Sequence, residues 1–408
     1  MPGRGSIVVR MSPDVSVSSA ADSQPPDLQW YVDDLIAHGV RRVHTLAWRD
    51  LDDPDAGGSE VHADEFMRRW ATAGLEVLHR TSSAEGRPAT ARRNGYDVVR
   101  RGSRYSVFPR TIAAELTHRM GRYDALVEIW NGVPWFSPVW CRRPHITFLH
   151  HVHGPMWDQI LPGPLASIGR GLESRVAPPF YRRTHTVTPS DATRDELLEL
   201  RFRPELVTAV PNGTDPRFSP GGVKTVEPSI VAVARLAPVK RFGLLIEAAI
   251  AAREQVPGLT MTIVGDGPER DALAAQVARA DASEWISFTG RVEPDGLVAL
   301  YRRAWIVASA SLAEGWGLSL TEAARCGTPA VASDIRGHRS SVVDGVTGIL
   351  APPADLGAAM VRVLTDHDLR SRLAAAAADR ATSLTWDASA LGIMRILHGV
   401  ACGASDRK

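Results

Sequence analysis

Short apolar runs alternate with amphipathic stretches along most of the chain. Val43 to Trp48 (VHTLAW) reads as a strand, followed by an acidic turn and Gly57-Gly58. From Ser59 to Ala73, the apolar residues Val61, Ala63, Phe66, Met67 and Trp70 recur at helical spacing. Gly74 then stops the helix, and Leu75 to Leu78 begin another strand. Strand, glycine turn, helix and strand form a βαβ unit, a connection that implies parallel pairing. The rhythm extends in both directions. Helices are predicted at 27–38, 110–120 and 191–200, the last with Ser190 as N-cap, and strands at 125–129, 145–149, 184–188 and 206–210. Residues 211–228 interrupt it with four prolines and three glycines, the composition of a domain linker. A second series follows, with strands at 230–234, 261–264, 286–288, 305–308 and 330–332 and helices at 242–252, 269–280, 295–303 and 319–326. The last 55 residues are alanine-rich and helical in pattern. The pattern predicts an α/β protein: a flexible tail at 1–26, a doubly wound domain at 27–210, a linker at 211–228, a second such domain at 229–385, and a terminal helix at 386–408.

In open sheets of this kind, ligands bind beyond the carboxyl ends of the strands. The chemically suggestive residues all lie there. Glu314-Gly-Trp-Gly-Leu-Ser-Leu-Thr-Glu322 places two carboxylates eight residues apart. Between them the N–H groups of Gly317, Leu318 and Ser319 open a helix N-terminus suited to an anion. Arg235 and Lys240 follow the strand at 230–234 and can neutralise a diphosphate leaving group. A cation opposes the dipole at a helix start, so a surface role there is mildly unfavourable. Gly57-Gly58 offers a second phosphate cradle, though glycines also simply make turns. Gly265-Asp266-Gly267-Pro268 ends another strand, and Arg291 after Gly290 reads as a contact to a nucleotide base or as a solvated charge. Asp53-Pro54-Asp55 has the form of a metal-holding pair, but the Arg/Lys pair already supplies the countercharge. His150, His151 and His153 end the strand at 145–149. H-x-H spacing alone is weak evidence for zinc, so they read as substrate contacts or structural histidines, with His150 the first choice and His151 the competitor.

Composition narrows the classes. Of 408 residues, 44% are apolar and 23% charged, and the net charge of +1 gives no global pull toward nucleic acid or membrane. No apolar run approaches the roughly 20 residues needed to span a bilayer, and the N-terminus lacks a signal-peptide core. The three cysteines, Cys141, Cys326 and Cys402, form no metal or disulfide pattern, which fits a reducing cytoplasm. The basic stretch 80–104 reads either as a solvated loop or as a lip for an anionic acceptor or membrane surface. No Walker phosphate loop, G-x-G-x-x-G turn after the first strand or G-x-S-x-G elbow is present.

With these residues together, the chain resembles the retaining GT4-type glycosyltransferases of the GT-B fold (glycosyl transferases group 1). Ser190 and Pro211-Asn212-Gly213 add to the likeness, whose specific core is the Arg235/Lys240 pair combined with Glu314/Glu322. The resemblance implies two Rossmann-like domains facing a central cleft, with a UDP- or GDP-hexose held mainly by the C-terminal domain. Glu314 would meet the donor sugar, Glu322 the ribose and His150 the sugar's surroundings, while Arg235 and Lys240 neutralise the diphosphate. It further implies no cofactor, no metal requirement, and C-terminal helices that cross back to the N-terminal domain. Ala234 stands where the family usually has glycine. The runs Trp130-Asn131-Gly-Val-Pro-Trp135 and His150–Trp157 depart from the general pattern. They are expected to form the acceptor pocket through Trp130, Asn131, His151 and His153, for a small-molecule, sugar or lipid-linked acceptor, with peripheral membrane contact as an option. A sugar-nucleotide epimerase, a phosphorylase and a non-catalytic sugar-nucleotide-binding module are the alternatives.

Overall fold

The computed structural model describes residues 25–161 and 163–403. Most of the tail expected at 1–26, and the last five residues, lie outside that range. Eight strands form the first sheet: β1 (Arg42–Leu46), β2 (Glu76–Thr81), β3 (Thr90–Arg93), β4 (Tyr96–Arg100), β5 (Ala125–Trp130), β6 (His145–Leu149), β7 (Thr186–Thr188) and β8 (Val207–Ala209). Their order is β3-β4-β2-β1-β5-β6-β7-β8, parallel except for the β3–β4 hairpin. The second sheet has β9 (Ser229–Val233), β10 (Thr260–Val264), β11 (Ile286–Gly290), β12 (Ile306–Ser309), β13 (Ala330–Ser333) and β14 (Gly348–Ala351). It is parallel throughout, in the order β11-β10-β9-β12-β13-β14. In both sheets the order reverses beside the first strand, which places a crevice at the carboxyl ends of β1 and β9.

Each sheet is buried by apolar helix faces, and of the stripe read at 59–73 all but the exposed Val61 are buried. Phe66, Met67 and Trp70 of the helix Gly58–Thr72 enter the N-terminal core with Val43, Val77 and Val127. Leu245, Ile246 and Ala249 of the helix Phe242–Arg253 do the same against Ile230 and Ile263. The helix Trp386–Cys402 packs on the N-terminal core through Ala390, Ile393, Met394 and Leu397, and Trp70 Nε1 donates to the Ala390 carbonyl at 3.1 Å. The chain therefore crosses between domains twice. The two crossings lie against each other: the Thr214 N–H donates to the Leu384 carbonyl at 3.0 Å, and a Cβ on Gly213 would collide with the Trp386 backbone.

The basic stretch is where pattern reading fails. Residues 90–100 are not a loop but the β3–β4 hairpin, and Arg93 and Arg100 turn inward while Arg92 stays exposed beside Asp97. Arg100 is buried and pairs with Asp50 and, at 2.8 Å, with Asp52, while Arg93 reaches Asp50 at 2.8 Å. Burial opposes ionisation of Asp50, but these two guanidiniums outweigh it and hold its carboxyl below the ordinary range. Arg93 and Arg100 thus form neither a solvated surface nor a lip. No helix among the described residues is long and apolar enough to cross a membrane.

Candidate active site

The loop after β12 opens the helix Leu318–Arg325. Gly317 turns into it at φ +95°, a left-handed conformation that suits glycine. Lys240, at the end of the short turn Pro238–Lys240, pairs with Glu314, and Ser311 Oγ donates to the same carboxylate oxygen at 2.8 Å. Burial raises the cost of ionising Glu314. Lys240, His338 and the hydrogen bonds outweigh it, and the carboxyl sits below its ordinary range. Glu314 is therefore an ionised acceptor able to take two hydroxyl hydrogen bonds. Glu322, one turn into the helix, accepts from the Tyr301 hydroxyl at 3.0 Å, and burial pushes its carboxyl up to about 7.

Three glycine-dependent approaches position this centre. A Cβ on Gly265 would collide with the Ala234 carbonyl, and the Gly265 N–H donates to Gly290 at 2.8 Å. Gly265 thus locks the loops after β9, β10 and β11 together, and Arg235 and Arg291 project from neighbouring loops. Both reach the acidic turn of the other domain. Arg235 Nη1 lies 3.0 Å from Asp55 Oδ1, and Arg291 donates to the Pro54 carbonyl. The Asp53 carboxylate accepts the Asp55 N–H at 2.8 Å, so both acids of the Asp53-Pro54-Asp55 turn are engaged. Gly58 permits the second approach: its missing Cβ would stand 2.8 Å from Leu318 Cδ1. The third is Gly315 against the carbonyl of His150.

The Gly58–Leu318 contact has an electrostatic consequence. The helices Gly58–Thr72 and Leu318–Arg325 start opposite each other across the cleft. Their first N–H groups lack intrahelical acceptors, and their positive dipole ends confront one another. Two opposed helix N-termini flanked by Lys240 and Arg235 are satisfied by an anion between them. Glu60 already takes the Gly57 N–H at 2.7 Å.

The histidines divide. His150 is buried, with Nε2 3.3 Å from His62 Nδ1, which leaves its unpartnered Nδ1 for a ligand. His151 is half-buried, its Nε2 has no partner, and it feels the charges of Glu314 and Lys240. Burial drives the His150 imidazole well below its ordinary pKa and, with His153 nearby, His151 to about 3. Both are neutral at physiological pH, so they can hydrogen-bond a sugar but do not supply countercharge. His153 departs in part from the acceptor-contact reading: it is buried and stacked on His151 and Trp157, although its Nδ1, 3.6 Å from Glu173, has no hydrogen-bond partner. Trp130 departs too. It is buried against Tyr181 and its indole N–H donates to the Gly132 carbonyl at 2.9 Å, so it offers no face to stack on. Tyr181 packs on Trp130 and Trp157 on His153, which strand-end position alone does not reveal. Asn131 lies at the cleft, donating to Ser59 Oγ at 3.2 Å.

Sequence reasoning missed the supports of the Glu314 loop. The helix Arg336–Ser341 presses Gly337 against Glu314, where a Cβ would strike the Glu314 carbonyl. His338, buried, contacts Ser309 Oγ at 3.2 Å and the Ser333 carbonyl at 2.8 Å. The signal was a glycine and a histidine just after β13, in Asp334-Ile-Arg-Gly-His338. Beside the loop, a cavity of about 540 Å³ lies between the domains, lined by Ser190, Asp195, Trp316, Arg336 and Arg380.

Two Rossmann-like domains meeting at a cleft of opposed helix N-termini and cations define a GT-B enzyme. Residues 56–218 match the family described as Glycosyltransferase Family 4, and residues 217–380 match Glycosyl transferases group 1. The chain belongs to the GT4-type glycosyltransferases. Among its relatives is a D-inositol 3-phosphate glycosyltransferase of Frankia alni, 28% identical over 402 residues, covering 86% of this chain and 97% of the relative. A glycogen synthase of Mycobacterium tuberculosis is 35% identical over 205 residues, covering 48% of this chain and 49% of that one. Sucrose-phosphate synthase from Thermosynechococcus elongatus shares the fold with a TM-score of 0.73 at 20% identity, covering 89% of this chain and all of that one. The Anabaena protein HepE, solved with UDP-glucose, has a TM-score of 0.66 at 18% identity over 90% of this chain and 99% of that one.

Proposed function

We propose that this enzyme is a retaining, metal-independent hexosyltransferase using a UDP- or GDP-linked donor. The observation that carries this reading is the convergence of two helix N-termini, Lys240 and Arg235 beside the ionised Glu314. That arrangement suits a diphosphate next to a polyhydroxylated ring. Glu314 accepts hydroxyl hydrogen bonds from the hexose, Glu322 takes the ribose, and Arg291 sits toward the base. The acceptor oxygen forms a bond to the anomeric carbon on the face from which the diphosphate departs. As the carbon–oxygen bond to phosphate breaks, the acceptor's proton passes to a leaving phosphate oxygen, and the cations stabilise the charge left there. No carboxylate is placed as a nucleophile in this scheme. The engaged state of Asp53 and Asp55 supports cation rather than metal neutralisation. His150, through Nδ1, and His151, through Nε2, border the sugar as neutral hydrogen-bonding groups. The crystallised UDP-glucose complex of HepE supports a UDP-hexose donor, and the inositol-phosphate relatives support a small phosphorylated polyol among the acceptor classes. The reducing cytoplasm is the proposed setting, consistent with cysteines that form no disulfide.

A nucleotide-sugar panel read by thermal shift identifies the donor, since a ligand at about 100 times its dissociation constant adds roughly 2.7 kcal/mol. With that donor, NMR of the product should show the donor's anomeric configuration, and turnover should survive EDTA. Lys240→Ala and Glu314→Gln should fold normally and lose transfer. An inverted anomer, EDTA sensitivity restored by magnesium or manganese but not by zinc, or full activity in either variant would each refute the corresponding part.

A further inference from the structure

Away from the cleft, the terminal helix Trp386–Cys402 lies on the helix Leu28–Ala37, and three side chains of metal-ligating type meet at their contact. His398 and Cys402 are four residues apart and so share a helix face one turn from each other. Asp34 rises from the opposing helix, its Oδ2 2.7 Å from His398 Nε2. One ligand atom from each of Asp34, His398 and Cys402 lies within 4.8 Å of the other two. We propose that these three residues form a zinc site that clamps the crossing helix to the N-terminal domain.

Zinc takes nitrogen, sulfur and oxygen ligands at about 2.0–2.3 Å, so tetrahedral ligands stand roughly 3.3–3.8 Å apart. The Asp34–His398 pair must open slightly, and any separation near 4.8 Å must close, to admit the ion. These are adjustments of an ångström or less in side chains that keep partial solvent access: 30% for Asp34 and 16% for His398. The donor set is selective, because a thiolate with an imidazole favours zinc over magnesium or calcium. The surroundings hold the ligands in place. Tyr31 packs edge-on to the His398 ring at 5.1 Å, Trp30 lies 5.8 Å away, and His38 Nδ1 sits 3.4 Å from the Asp34 carboxylate. Water completes the fourth position. The site cross-links residue 34 to residues 398 and 402, fixing the last described element on the domain that it recrosses to reach. A plain Asp34–His398 ion pair, the competing account, gives no metal dependence.

The test uses untagged, metal-free, full-length protein. Inductively coupled plasma analysis after dialysis against zinc should find one zinc per chain, and the melting temperature should rise with zinc concentration. Cobalt(II) in place of zinc should show a thiolate-to-metal charge-transfer band, which Cys402→Ser abolishes. His398→Gln and Asp34→Asn should weaken zinc binding at least tenfold, while their metal-free melting temperatures stay near that of the metal-free parent. The proposal is overturned if the parent retains no zinc, if no thiolate band forms, or if the band persists in Cys402→Ser. Transfer activity reads neither result, because none of the three residues lies in the cleft.

Discussion

The two domains touch backbone to backbone at Gly315 and His150, and that contact yields the sharpest prediction. A Cβ on Gly315 would stand 3.1 Å from the His150 carbonyl carbon and well inside 3 Å of its oxygen. The Gly315 backbone has no left-handed φ, so alanine suits the loop itself and collides only with the other domain. Neither partner is a flexible side-chain end, so the domains must part at this point. Overpacking of this kind costs about 1–3 kcal/mol. At about 1.36 kcal/mol per tenfold, the closed arrangement loses roughly 5- to 160-fold in population. Gly315→Ala should therefore lower kcat/KM by that factor in a transfer assay with the donor found by thermal shift. Its melting temperature should stay near the parent's, because the strain is relieved by opening rather than unfolding. Gly171→Ala, at a glycine with nothing within 4 Å of the added carbon, is the control. An unchanged kcat/KM in Gly315→Ala would show that the reacting enzyme never brings these backbones together, and the cleft geometry above would fall with it.

Three further outcomes follow from the same structure. Burial holds Glu322 protonated below about pH 7, and ribose hydroxyls donate to the carboxylate form, so donor affinity should strengthen as pH rises through 7. Calorimetric titration between pH 6 and 8 checks this, and a Glu322→Gln variant should flatten the profile; an equally steep profile there would assign the titration elsewhere. Asp55 occupies Arg235 across the cleft, so Asp55→Asn should free that guanidinium and tighten donor binding by about 1.4- to 5-fold, the worth of an exposed pair at roughly 0.2–1 kcal/mol. Weaker binding would mean that Asp55 helps to hold the donor. Asp50→Ala should leave Arg93 and the buried Arg100 sharing Asp52 alone and cost up to about 3–5 kcal/mol in urea denaturation. Because the Asp50 carboxyl is depressed in the folded state, its contribution is present above the ordinary aspartate range and fades as pH falls below it, so parent and variant curves should converge in acid.

Much of the architecture is local information. Apolar spacing switches between strand and helix periods, and glycine or a capping residue marks the switches. The strand at 145–149 and the start of the helix at Asp191 could therefore be read to the residue. The proline- and glycine-rich stretch 211–228 falls between the two sheets, after β8 and before β9. What escaped depended on partners distant in the chain. Arg93 and Arg100 look like solvated charge until Asp50, 43 and 50 residues away, neutralises them in the interior. Trp130 and His153 look like ligand-facing groups until Tyr181 and Trp157 pack against them. Gly315 and Gly337 look like ordinary turn glycines until the His150 and Glu314 backbones arrive beside them. Periodicity determines which face of an element is apolar, because that depends on neighbours along the chain. Which charge is buried, which ring is covered and where two backbones nearly touch are decided by packing between segments far apart in sequence, and only the tertiary structure contains that packing.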